Sequence, residues 1–100
     1  MDPDKPDLMI ADVVISTAGR DTDSLFYVIG ADDVYLLLVN GKDRTVEKPK
    51  RKKRKHAKKV LRPETRVAEK LRNGDKVLNS ELRRDLAYLS RDMQSNDLGG

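Results

Sequence analysis

Between Lys48 and Lys59 the chain places nine cations in twelve positions: Lys48, Lys50, Arg51, Lys52, Lys53, Arg54, Lys55, Lys58 and Lys59, interrupted only by Pro49, His56 and Ala57. Such side chains repel one another and gain nothing from burial. What they do well is neutralise a polyanion, because each Lys or Arg that meets a phosphate releases condensed counterions. Nucleic acid is therefore the leading partner. The bland account of the run is a solvated linker or a nuclear-import address. A membrane surface is a weaker match, since no Trp, Phe or Leu interleaves the cations to enter a lipid interface. His56 is the single histidine; surrounded by cations, it is expected to be uncharged and to donate a hydrogen bond to the bound ligand.

The other chemistries lack their parts. There is no cysteine, which excludes disulfides and thiolate metal sites. The acids are scattered over turns, no serine has a histidine partner in a cleft-forming context, and no Gly-rich phosphate loop is present. An enzyme is the least supported class, and neither cofactor, metal nor small-molecule substrate is expected.

The elements that must carry these cations follow from composition and pattern. Hydrophobic residues make up 37% and charged residues 38% of the 100 positions, so one small core is expected. The net charge of +4 divides unevenly: −6 over residues 1–41, +10 over 42–62 and 0 over 63–100. The acidic, proline-bearing start, Met1 to Asp7, is the opposite of a signal peptide and reads as a disordered leader of a cytoplasmic protein. From Leu8 the texture is that of strands: Leu8 to Thr17, Leu25 to Ile29, Val34 to Val39, and, after Asn40-Gly41 as a hairpin turn, Lys42 to Glu47. Short strands joined by tight turns predict a small closed or half-closed barrel over residues 8–48. The run at 49–59 is too charged for a core and is expected to cross the surface as a basic arm.

Beyond it the period becomes helical, predicting a helical tail over 60–93. Val60, Leu61, Val67, Ala68 and Leu71 suggest one short helix, stopped by Asn73-Gly74. Leu82, Leu86, Leu89 and Met93 suggest another, with Asn79 or Ser80 as cap. The helices either pair with each other or dock on an open barrel face. Residues 94–100 are expected to fray. Alternation along the second strand puts Phe26 and Tyr27 on opposite faces, one in the core and one exposed.

The stretch from Asp12 to Asp21 (DVVISTAGRD), followed by Phe26-Tyr27-Val28-Ile29, resembles the KOW motif of ribosomal proteins and transcription elongation factors. Asn40-Gly41-Lys42-Asp43-Arg44, Glu47-Lys48-Pro49-Lys50 and Lys55-His56 extend the likeness. Together they are similar to small bacterial KOW-domain RNA-binding proteins related to large-subunit ribosomal proteins of archaea and eukaryotes. Asn73-Gly74 and Asn79 to Arg83 resemble the helical tail of such proteins. The likeness spans residues 8 to 90, and its specific parts are Ser16 to Asp21 and Gly41 to His56. It implies a mainly β fold, an SH3-like barrel with an α tail, whose ligand is RNA, ribosomal RNA of the large subunit foremost, with ribosomal proteins as further neighbours. The family pattern has a glycine near Ala11 and another near Asp23, and this chain has neither.

The expected interface is therefore Arg20, Lys42, Arg44, Lys48, Lys50, Arg51, Lys52, Lys53, Arg54, Lys55, His56, Lys58 and Lys59. Arg20 would project from a corner turned by Gly19 and Asp21, while Asn40 and Gly41 would shape the hairpin. Aromatic residues are too few for a reader that depends on base stacking, so recognition by shape and backbone is expected. Two other functions stay open. One is a protein-interaction module docking through its barrel or its leucine stripe, with the basic arm serving localisation or solubility; the other is binding of duplex DNA.

Overall fold

The computed structural model of the chain describes residues 8–19 and 24–99, the last six by backbone alone. Five strands form a single antiparallel sheet: β1 (Val13–Ser16), β2 (Leu25–Ala31), β3 (Tyr35–Val39), β4 (Lys50–Lys53) and β5 (Ala57–Leu61). Their spatial order is β4-β3-β2-β1-β5. The two edge strands are thus consecutive in the chain and joined by one three-residue 3-10 turn, Arg54–His56. So short a link between opposite edges requires the sheet to curl. Two helices follow, α1 (Arg66–Asn73) and α2 (Asn79–Gly99).

Alternation along the strands separates two cores. One face holds Leu8, Val14, Phe26, Val28, Leu36, Leu38 and Ala57. The other presents Val13, Tyr27 and Val39, a cross-strand row in which Val13 pairs with Tyr27 and Tyr27 with Val39. That second face is covered by Val67, Ala68, Val77, Leu82, Leu86 and Leu89. Phe26 and Tyr27 do lie on opposite faces, but both are fully buried, because the helices turn the outer face of the sheet into a second core. The leucine stripe Leu82, Leu86 and Leu89 is consumed in this packing.

Polar contacts lock the layers together. The Tyr27 hydroxyl donates to the Asp85 carboxylate on α2 and lies 3.2 Å from Thr65 Oγ1. Thr65 caps α1 by accepting from the Ala68 backbone N–H, and donates to Asp85 at 2.8 Å. At the sheet margin the buried Asp12 carboxylate receives Arg62 Nε at 2.7 Å, Arg62 Nη2 at 3.2 Å and the Met9 backbone N–H at 2.9 Å. These bonds satisfy a charge that would be costly to bury alone. Ala11, beside them, has φ of 74°, a left-handed conformation that favours glycine.

Four expectations need correction. The strand predicted over Lys42 to Glu47 is a loop: Asn40 Oδ1 accepts from the Lys42 and Arg44 backbone N–H groups, and only one bridge, Thr45 to Lys48, is made. The sheet does not end at residue 48, and the basic arm of 49–59 is instead β4, the 3-10 turn and most of β5. Val60 and Leu61 belong to β5, so the first helix starts at Arg66. The second helix runs to Gly99 where fraying was expected from residue 94. The leader, residues 1–7, lies outside the described residues.

Asn79 does other work than capping. Its Oδ1 accepts from Val46 N–H at 2.9 Å and its Nδ2 donates to Glu47, so the first residue of α2 clips the β3–β4 loop. The N-terminal turn is closed instead by Glu81, whose carboxylate accepts from Leu78 N–H and from Lys70 Nζ. These bonds, Lys70's first, hold the Glu81 carboxyl below its ordinary range. Gly41 sits under this helix start at φ 77°, where an added Cβ would lie 2.2 Å from the Asn79 carbonyl oxygen. Gly74 ends α1 in the left-handed conformation with nothing within 4 Å of its Cβ position.

The two glycines should respond differently to substitution. Gly74→Ala meets only the left-handed strain and should cost about 1 kcal/mol. Gly41→Ala adds a backbone collision and should cost about 3 kcal/mol or more. Denaturant midpoints of the two variants measure the difference. Burial first, and the Asp85 hydrogen bond second, push the Tyr27 phenol far above its ordinary value. A raised folded-state value favours folding below the unfolded value and loses that contribution as pH rises above it. Stability should therefore fall above about pH 10, and Tyr27→Phe should flatten this alkaline loss in urea titrations.

Candidate nucleic-acid interface

A strand of consecutive cations must send every second side chain inward. In β4 that residue is Lys52, which pairs in register with the buried Leu36. Its exposure is 9%, and its ammonium donates to Ser16 Oγ at 2.6 Å and to the Ala18 carbonyl at 2.7 Å. The stem fills the inner face while the charge ties β4 to the loop after β1. Lys52 is therefore removed from the expected ligand-binding set, because its ammonium is already bound inside the protein. Lys50, next on the same face, is half-buried, and burial followed by the Lys52 charge lowers its pKa.

The remaining cations stand outward. Arg51 and Lys53 on β4, Lys55 in the 3-10 turn, Lys58 and Lys59 on β5, and Lys48 just before β4 are all exposed. These six follow the chain from one sheet edge, around the turn, to the opposite edge. Arg54 is half-buried, and its Nε donates to the Asp32 carbonyl at 2.6 Å, pinning the turn to the β2–β3 hairpin. His56 is half-buried, and its carbonyl accepts from Thr17 N–H at 2.9 Å. The turn that carries Lys55 is thus fastened at both ends.

Lys42 is exposed in the β3–β4 loop. Arg44 is half-buried there with its Nε enclosed and without a hydrogen-bond partner, so only part of its guanidinium faces solvent. Gly19 has φ of 86°, as expected for a tight corner, and its Cβ position lies 3.7 Å from Lys52 Nζ. Arg20 and Asp21 lie outside the described residues.

Two features escaped the sequence pattern. Arg51 lies over the Tyr35 ring, 3.8 Å from its centroid, a cation–π contact between diagonal neighbours on β4 and β3. Only strand register could have revealed it. Elsewhere, Arg66 on α1 and Arg84 and Arg91 on α2 line one open groove with Tyr88. Glu81 and Asp85 line the same groove, so its charge is mixed and not purely cationic. No group of three or more acid, His or Cys side chains able to hold a metal occurs among the described residues. No helix among them is long and apolar enough to cross a membrane.

The chain matches no protein-family model and no curated protein sequence.

Adjacent lysines on β4 should separate by role. Lys52→Met removes two hydrogen bonds from a buried site and should cost about 1–3 kcal/mol, whereas Lys53→Ala should stay within about 0.5 kcal/mol of the parent. Thermal unfolding of the pair checks the assignment.

Proposed function

We propose that this chain is an SH3-like barrel of KOW type that binds the backbone of structured RNA, ribosomal RNA foremost, through the rim formed by β4, the 3-10 turn and β5. The strand order supports the fold assignment, because two edge strands joined by only three residues require the sheet to curl toward closure. So does Ala11, which takes a left-handed conformation close to where the family pattern has glycine.

The observation that carries the functional proposal is the set of six exposed cations, Lys48 just before β4 and the other five held on strands and a pinned turn. A flexible basic tail loses conformational entropy when it meets its ligand. Cations already spaced by a sheet have much of that cost settled in folding, and their charge is directed to two edges of one small body. Lys48, Arg51, Lys53, Lys55, Lys58 and Lys59 neutralise phosphates. Lys42 and the outer part of Arg44 extend the field along the neighbouring loop. Lys52 acts from behind by fixing the frame. The competing use of the leucine stripe as a protein-docking face loses its surface, since Leu82, Leu86 and Leu89 are buried against the sheet.

If the six exposed cations each neutralise one phosphate, the logarithm of RNA affinity should fall against the logarithm of salt with a slope of about −4 to −5. Fluorescence anisotropy with a structured hairpin RNA measures it. Single changes Lys53→Gln, Lys55→Gln and Lys58→Gln should each lower the magnitude of the slope by about 1. A flat salt dependence would rule the mechanism out. Sedimentation of lysate at low and high salt tests the ribosomal ligand, which requires salt-labile co-migration with the large subunit.

A further inference from the structure

A carboxylate on the rim of a phosphate-binding surface demands an explanation, and Asp32 is one. It lies at the hairpin between β2 and β3 and helps line an open depression of about 360 Å³, near the low end for small-ligand sites. Gly30, Tyr35, Leu37 and Arg51 form the rest of the wall that matters. Arg51, exposed and lying over Tyr35, offers a planar cation on which a flat ring can stack. Gly30 keeps this face low, since a Cβ there would lie 3.1 Å from Leu37 Cδ1.

The Asp32 carboxylate is oriented by its own turn. Its Oδ1 accepts from Val34 N–H at 2.8 Å and from Tyr35 N–H at 2.6 Å. These two bonds, Tyr35's first, hold the carboxyl below its ordinary range, so it is ionised at neutral pH. With Oδ1 committed to both, Oδ2 is the acceptor left for a ligand. An ionised carboxylate repels phosphate and accepts from N–H groups. Among nucleobases, guanine alone presents two adjacent donors, N1–H and the N2 amino group, on one edge. Adenine and cytosine set a ring acceptor beside their amino groups, and uracil flanks its N–H with carbonyls, so each would bring a lone pair against the carboxylate.

Resting on the RNA-binding function proposed above, we infer that this depression takes one unpaired guanine base of the bound RNA, stacked on the outer face of the Arg51 guanidinium, with N1–H and N2–H both donating to Asp32 Oδ2. Lys53, exposed and paired in register with Tyr35, stands next to the pocket wall where the phosphate of the same nucleotide would lie. Unpaired bases read on their Watson–Crick edge while stacked on an aromatic or guanidinium plane are the usual source of sequence preference in RNA binding.

The test uses the full chain and hairpin RNAs sharing one stem, with a single unpaired guanosine, inosine or adenosine, or with none. The guanosine hairpin should bind about tenfold more tightly than the adenosine hairpin, with inosine between them. Asp32→Asn keeps the oxygen that accepts from Val34 and Tyr35 but puts an amide donor against guanine. It should cut the preference below about threefold while leaving the salt slope unchanged. Equal affinity for all four hairpins with a steep salt slope would overturn the guanine pocket and leave backbone binding standing. A guanosine preference that survives Asp32→Asn would overturn the pocket as assigned. Failure of every hairpin to bind would overturn both the pocket and the RNA-binding function beneath it.

Discussion

The burial of Tyr27 is what the rest of the molecule is arranged around. Its ring lies in the middle of the row Val13, Tyr27 and Val39, on the face of the sheet away from the first core. An exposed tyrosine there would leave a half-covered sheet of five short strands, a marginal amount of apolar burial for a domain this small. Helix α2 covers the ring, and its hydroxyl then needs a partner, which Asp85 and Thr65 provide. One side chain thereby joins β2 to the cap of α1 and to the second turn of α2. The helices complete the domain; they are not an appendage to a finished barrel.

The position of α2 sets the loop that follows β3. With Gly41 against the Asn79 carbonyl and Asn79 bonded to Val46 and Glu47, the chain between Val39 and Lys50 has little freedom. It delivers β4 to the edge of the sheet in a register that puts Lys52 opposite Leu36. Inward burial of one lysine follows directly from that register. The Ser16 hydroxyl and the Ala18 carbonyl make it tolerable, because the ammonium keeps hydrogen bonds in place of water. The outward lysines of β4 and β5 serve the fold as well, since charged side chains on both open edges discourage pairing with another chain's strand. Edge protection and the proposed phosphate binding would draw on the same residues, in keeping with a β4 made wholly of cations.

The acids are placed with equal economy. Asp12 is spent inside, anchoring Arg62 where β1 meets the end of β5. Asp32 stands on the surface beside Arg51 and Arg54, both of which lower its pKa further, so the rim is not a uniform positive field. A surface of one sign attracts any polyanion equally. An ionised carboxylate within it creates a spot that phosphate avoids and an N–H donor seeks, and the proposed discrimination among nucleotides would rest on that contrast.

Much was determined by sequence alone. Leu25 to Ile29 and Val34 to Val39 read as strands from their β-branched and aromatic runs, and the structure has strands there. Asn73-Gly74 stops a helix as the left-handed preference of glycine requires, and the leucine spacing from Leu82 marks α2. The concentration of positive charge between Lys48 and Lys59 was likewise legible, because composition does not depend on conformation. Local propensity failed where a tertiary partner outweighed it. Lys50–Lys53 carries no strand signal and becomes a strand because β3 offers an unpaired edge. Asn40-Gly41 carries a strong hairpin signal and forms a wider loop because α2 occupies the space against Gly41. Which lysine turns inward, which aromatic ring lies beneath an arginine and which acid sits in a pocket are matters of register and face. Those are settled only when strands distant in the chain are brought side by side, since a shift of one residue would exchange every inward side chain for its neighbour.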